Sequence, residues 1–74
     1  MRKVIDARDV RSPAPFIYIE VAFRSLAIGG SVEVESDDPT FPADCQLWCD
    51  RSGHQLVTIE MDAGVFRAEI KKGR

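Results

Sequence analysis

The side chains with the chemistry of nucleophiles, bases or metal ligands are Ser12, Cys45, Cys49 and the single histidine, His54. Ser12 heads the run Ser12-Pro13-Ala14-Pro15, and prolines spaced by one residue behind a small hydroxyl side chain describe the opening of a helix. Ser12 is expected to cap that helix through its hydroxyl. Pro13 then falls at the first helical position and Pro15 at the third, where no intrahelical acceptor awaits the N–H that proline lacks. A group at that cap lies on the positive end of the helix dipole, which favours an anion or a thiolate. For Ser12 as a nucleophile, His54 is the sole candidate base, and nothing supplies a third orienting group or an oxyanion site, so hydrolase chemistry is not expected. Cys45 and Cys49 lie four apart in a helical segment, where a bridge would strain both backbone and disulfide, and they read as reduced, buried, small hydrophobes. With His54 they lack the second half of a metal-binding motif, so no metal is expected. Trp48 and Tyr18 read as core or rim residues, because no basic residues interleave with them as in a base-stacking platform.

The elements that must position these residues follow from periodicity and punctuation. Residues 2–6 read as a strand. A helix is expected from Pro13 to about Ala27, although Phe16-Ile17-Tyr18-Ile19-Glu20-Val21 would also suit a strand; the proline opening, the length and the Gly29-Gly30 stop favour the helix. Val32 and Val34 alternate with Ser31, Glu33 and Glu35, which describes a half-buried strand with a charged outer face. Asp37-Asp38-Pro39 ends it. A second helix runs to about Ser52, with Phe41, Cys45, Trp48, Cys49 and Ser52 at helical spacing and Gly53 as the left-handed stop. Pro42 places its cap at Thr40 or distorts its first turn. Val57, Ile59 and Met61 alternate with Leu56, Thr58 and Glu60, and Asp62-Ala63-Gly64 turns the chain into Val65–Lys71 as a hairpin, whose inner sets are expected to be Val57/Ile59/Met61 and Phe66/Ala68/Ile70. The order is βαβαββ: an α/β (α+β) two-layer sandwich with two helices on one face of a four-stranded mixed sheet.

At 74 residues and 45% apolar content, the chain is expected to form a single domain over residues 1–74 around one small core. No apolar run has the length of a membrane span and no leader pattern opens the sequence, which points to a soluble, cytoplasmic protein. The net charge of −2 is unevenly distributed. Arg2, Lys3, Arg8 and Arg11 crowd one end and Arg67, Lys71, Lys72 and Arg74 the other, whereas between residues 13 and 62 only Arg24 and Arg51 oppose a run of carboxylates. The terminal charges read as solvated groups on mobile ends; were the first and last strands neighbours, they would make a basic patch for phosphate or an acidic partner. The acidic balance argues against nucleic acid.

In this order the motifs resemble those of the TusA/SirA-like family of small sulfur-carrier proteins. The family pattern has an Asp-Ala-x-Gly-x-x-Cys-Pro-x-Pro opening, a Gly-rich turn into a strand, an Asp-Pro pair before the second helix, and a Cys followed by Gly-His-x-Leu. Here stand Asp6-Ala7-Arg8-Asp9-Val10-Arg11-Ser12-Pro13-Ala14-Pro15, Gly29-Gly30-Ser31-Val32-Glu33-Val34, Asp37-Asp38-Pro39, and Cys49-Asp50-Arg51-Ser52-Gly53-His54-Gln55-Leu56. The resemblance spans nearly the whole chain and implies the two-layer sandwich reached above.

It also implies departures at the site. The family's sulfur-carrying cysteine maps onto Ser12, its glycine onto Asp9, and the basic pair of its first helix onto Glu20 and Val21. A serine hydroxyl cannot hold a persulfide, since its alkoxide is inaccessible at neutral pH and oxygen forms no stable analogue. The reading is a monomeric, cofactor-free relative that has lost the persulfide cysteine and binds a protein partner of a sulfur-transfer system. Its docking surface would comprise Arg11, Ser12, Pro13, Ala14, Pro15 and Glu20. The alternative is an active carrier, with cysteine at position 12 in the native gene or with Cys49 as a surrogate.

Overall fold

The computed structural model describes residues 3–74. The elements are β1 (Lys3–Asp6), α1 (Ala14–Phe23), β2 (Ser31–Ser36), α2 (Phe41–Ser52), β3 (Gln55–Asp62) and β4 (Val65–Lys71), and the sheet order is β1-β2-β4-β3. Of the expected first strand, Arg2 lies outside the described residues. β1 pairs parallel to β2, as a strand returning through a helix must. β4 then slots between β2 and β3, antiparallel to both, so that α2 carries the chain across the width of one strand.

Register stacks the apolar residues in rows. Ile5 lies beside Val34, Val34 opposite Ala68, and Ala68 opposite Ile59; Val32 lies opposite Ile70, and Ile70 opposite Leu56. The alternate rows face away from the helices and carry Glu33, Glu35, Arg67 and Glu69, with Arg67 ion-paired to both Glu33 and Glu35. Period-two alternation therefore assigns one buried and one charged face. The helices cover the first with Pro15, Phe16, Ile19, Ala22 and Phe23 from α1 and Phe41, Cys45 and Cys49 from α2.

The structure corrects the expected hairpin face. A register shift between Leu56 and Thr58 places an extra residue in β3, so Leu56 and Ile59 pack on the core while Val57 is exposed. Met61 stays in register opposite Phe66 but is exposed at the far end of the hairpin. Phe66, Ala68 and Ile70 face inward as expected.

The first helix is shorter than its sequence suggests. It ends at Phe23, and Arg24, Ser25 and Leu26 donate to carbonyls three residues back. Lys72 explains the early end, because its Nζ donates to the Phe23 and Leu26 carbonyls at 2.7 Å each. The Leu26 carbonyl thereby gains a partner and the Phe23 carbonyl a second one, without the helix continuing to Gly29. The second helix ends as expected, with Gly53 left-handed at φ 81° and its N–H donating to the Cys49 carbonyl.

Among the described residues, the basic ends form no joint patch. β1 and β4 flank β2 on opposite sides, and Arg8 folds back on Asp6 at 2.9 Å, which holds that carboxylate at about 2. The C-terminal residues are fastened: Lys72 N–H donates to the Gly30 carbonyl and Gly73 N–H to His54 Nδ1.

At the hairpin turn Ala63 and Gly64 both take positive φ, 53° and 78°. Only the second is a residue that does so freely. Ala63→Asn is expected to raise stability by about 0.5–1 kcal/mol, since asparagine accepts the left-handed conformation more readily. The check is a higher urea midpoint at unchanged slope; an unchanged midpoint would show that the turn stores no strain.

Candidate functional site

The loop from Ala7 to Pro13 joins β1 to α1 and carries Ser12. Its path is set by hydrogen bonds to the end of β2 and the segment that follows it. Ala7 N–H donates to the Glu35 carbonyl, Asp9 N–H to Asp37 Oδ1 at 3.0 Å, and Ser12 N–H to Asp38 Oδ2 at 3.4 Å. Arg11 closes on Asp37 at 3.2 Å. Asp9 sits at φ 63°, a left-handed conformation that glycine adopts without cost and aspartate tolerates, at the place where the motif comparison puts a glycine.

Ser12 does not cap α1 through its hydroxyl. The cap position falls on Pro13, behind a cis Ser12–Pro13 peptide, and no side chain bonds to the first turn. Ser12 engages through its backbone N–H instead, leaving the residue exposed just ahead of the helix. Arg11 and Pro13 are also exposed and Ala14 is half-buried, but Pro15 is fully buried, which removes it from any docking surface. Glu20 lies on the exposed side of α1 together with Ile17, Tyr18 and Val21, each at least 43% exposed. Sequence reasoning missed this apolar exposure because α1 is apolar on every side, so periodicity could not separate its inner and outer faces.

Ser12 stands at the mouth of a shallow groove of about 190 Å³ between the start of α1 and α2, with Phe16, Asp44, Leu47, Trp48 and Arg51 as its other walls. Phe16 stacks between Phe41 and Trp48, with ring centroids 5.9 and 5.5 Å apart. Trp48 lies 5.3 Å from His54, which in turn meets Phe23 edge-on at 4.7 Å. His54 therefore belongs to this aromatic row, and its Nδ1 is engaged by Gly73 N–H, so it serves no hydroxyl as a base. Burial pushes its pKa below the ordinary value, with the charges of Arg74 and Lys72 adding to the effect and Glu20 opposing it.

Cys45 and Cys49 are buried to 0% and 1% exposure inside the core. The Cys45 thiol is pushed far up, first by donating its hydrogen to Cys49 and then by burial. Cys49 is shifted the other way, downward, because the Cys45 S–H donates to it against the opposing effect of burial, but at 1% exposure its sulfur is closed to a partner. Among the described residues no group of His, Cys, Asp and Glu could hold a metal ion, and no helix is long and apolar enough to cross a membrane.

Fold and site together define a small two-layer α+β protein that presents residue 12 on a carboxylate-braced proline loop beside an aromatic-walled groove. The family model described as Sulfurtransferase TusA matches residues 3–72. A sulfur carrier protein TusA of Pseudomonas putida is 35% identical over 69 residues, covering 93% of this chain and 86% of that protein. A putative sulfur carrier protein of Archaeoglobus fulgidus is 30% identical over 69 residues, covering 93% and 94%. The crystal structure of a SirA-like protein from Desulfitobacterium hafniense superposes with a TM-score of 0.79 at 30% identity, covering 96% of this chain and 97% of that one. The chain belongs to the TusA family of sulfur carriers.

Two predictions follow from the loop geometry. Because the Ser12 hydroxyl caps nothing, Ser12→Ala is expected to change stability by less than about 0.5 kcal/mol, as at other surface positions; a loss of about 1 kcal/mol in urea unfolding would restore the capping role. The second concerns pH. Asp37 is held below its ordinary value of 3.8, chiefly by Asp9 N–H and then by Arg11; Asp38 is lowered by Thr40 N–H, the Thr40 hydroxyl and Ser12 N–H, against the opposing effect of burial. Depressed folded values mean that their bracing is complete above about pH 4 and is lost as pH falls through the lower folded values. The amide resonances of Asp9 and Ser12 are expected to move together in that acidic window; movement above about pH 5 would exclude these carboxylates as the cause.

Proposed function

We propose that this TusA-family protein has given up the persulfide step and acts as a protein-binding or regulatory module of a sulfur-transfer system. In this reading Ser12 occupies the place of the family's sulfur-carrying cysteine. The observation that carries it is the distribution of thiols. The sequence has two cysteines, and both lie in the core, whereas the exposed side chain at the loop is a hydroxyl. Sulfur relay needs a thiolate that a partner can reach, and a hydroxyl of ordinary acidity cannot substitute. Burial also weighs against Cys49 as a surrogate carrier, because a partner would have to open the core to reach it.

The docking surface of this module comprises Arg11, Ser12, Pro13 and Ala14 and continues along Glu20 on the outer side of α1. Several features support that assignment. The loop is held to the Asp37-Asp38 segment and stiffened by proline, so little ordering entropy is lost on docking. Ile17, Tyr18 and Val21 offer adjoining apolar area of the kind partner interfaces use. Glu20, where the resemblance expects a basic residue, changes which partners are electrostatically acceptable.

The direct test is incubation with a cysteine desulfurase and cysteine, followed by mass spectrometry. No reducible gain of one sulfur atom is expected on the wild-type chain. A gain mapped to Cys49 or Cys45 would overturn the proposal in favour of a relocated carrier thiol. Ser12→Cys serves as the companion: its new thiol is expected to alkylate readily in the folded protein while Cys45 and Cys49 stay protected. Equal labelling of all three would show that burial does not guard the core thiols.

A further inference from the structure

A second cleft lies between the end of α1, the start of β3 and the C-terminal residues, away from Ser12. Its walls are Glu20, Phe23, Arg24, His54, Lys72 and Arg74, and its volume is about 180 Å³. That is well below the size of pockets that enclose nucleotides or drug-sized ligands and suits a small ion.

The donors around it are numerous. Arg8, Arg11 and Arg67 elsewhere are ion-paired to carboxylates, but among the described residues Arg24 and Arg74, like Arg51 outside the cleft, have no ion pair. Lys72 directs its ammonium at the Phe23 and Leu26 carbonyls, which neutralises the negative end of α1 beside the cleft. His54 accepts from Gly73 N–H through Nδ1, so the neutral ring carries its proton on Nε2 and remains a donor. The only carboxylate side chain in the wall is Glu20. Planar guanidiniums suit the oxygen pairs of a tetrahedral oxyanion, and here they come from separate segments, as in a site that closes around its ligand.

We propose that this cleft binds a small tetrahedral oxyanion of the sulfate or phosphate type, held by Arg24, Arg74, Lys72 and His54. The site is independent of the chemistry at Ser12. Protonation of His54 at Nδ1 breaks the bond from Gly73 N–H and adds a further charge to the wall, so binding tightens as pH falls and the bound anion in turn favours the imidazolium. The charged groups that set this balance are Arg24 and Glu20 from α1 and Lys72 and Arg74 from the C-terminal residues.

Trp48 provides the readout. It is the sole tryptophan, and it lies 5.3 Å from His54, so that imidazolium formation quenches its fluorescence. The experiment titrates that fluorescence from pH 8 to 5 in sodium sulfate and in sodium chloride at equal ionic strength; sulfate does not titrate in this range. Sulfate is expected to raise the midpoint by about 0.5 pH unit or more in a saturable manner. Arg24→Gln with Arg74→Gln is expected to abolish the shift, Glu20→Gln to enlarge it, and Arg51→Gln, outside the cleft, to leave it intact. An equal shift in chloride, or one that survives in the double variant, would overturn the site. Amide titrations of Gly73 and His54 at fixed pH with inorganic phosphate and with glycerol 3-phosphate then separate a free ion from the same group carried on a small molecule. Perturbation by the ester alone assigns the carried group, perturbation by the inorganic ion assigns the free one, and perturbation by neither rejects the proposal.

Discussion

The site depends on one buried carboxylate. Asp38 is 6% exposed, and a charge withdrawn from water to that degree is tolerated only if its lone pairs find donors. They come from both helix starts. Thr40 gives its N–H and its hydroxyl to Oδ1, ahead of α2, and Ser12 gives its N–H to Oδ2, ahead of α1. The Ser36 hydroxyl in turn accepts from Asp38 N–H and fixes the chain as it leaves β2. One side chain thus sets the spacing of the two helix starts, and with it the width of the groove between Phe16 and Trp48. Thr40 keeps the cap position that Pro42 leaves to it, yet its hydroxyl serves Asp38 and not the first turn of α2.

How far the sequence reveals this arrangement depends on whether the cause is local. β2, α2, its Gly53 stop and the hairpin turn are legible because alternation, helical spacing and turn residues lie within a few positions of their effects. The order of elements follows from them, and with it the single helical layer. The hidden features have partners far along the chain. Lys72 ends α1 from 46 and 49 residues away, and Asp38 takes the Ser12 N–H from 26 residues away. Val57 is turned outward by a bulge that strict alternation cannot announce. Around Ser12 the prolines identify the loop but misplace the cap by one residue, since Pro13 itself takes that position.

The two clefts are linked by the row of rings from Phe41 through Phe16, Trp48 and His54 to Phe23. Trp48 walls the groove beside Ser12 on one side and touches His54, in the wall of the other cleft, on the other. Stacked and edge-on rings resist sliding because each contact is favourable over a narrow range of offsets. His54 and the groove beside Ser12 thus share one packed row of rings.

The same geometry explains how the fold tolerates a hydroxyl at position 12. The interactions that hold the loop use the backbone N–H groups of Asp9 and Ser12 and the side chains of Arg11, Asp37 and Asp38. The core draws on Phe16, Ile19, Val34 and Ile70, and the end of α1 on Lys72. None of them requires the side chain at position 12. A change of reactive group there leaves the packing, the carboxylate bracing and the exposed face of α1 in place, which is what the proposed loss of sulfur chemistry with a retained binding surface requires.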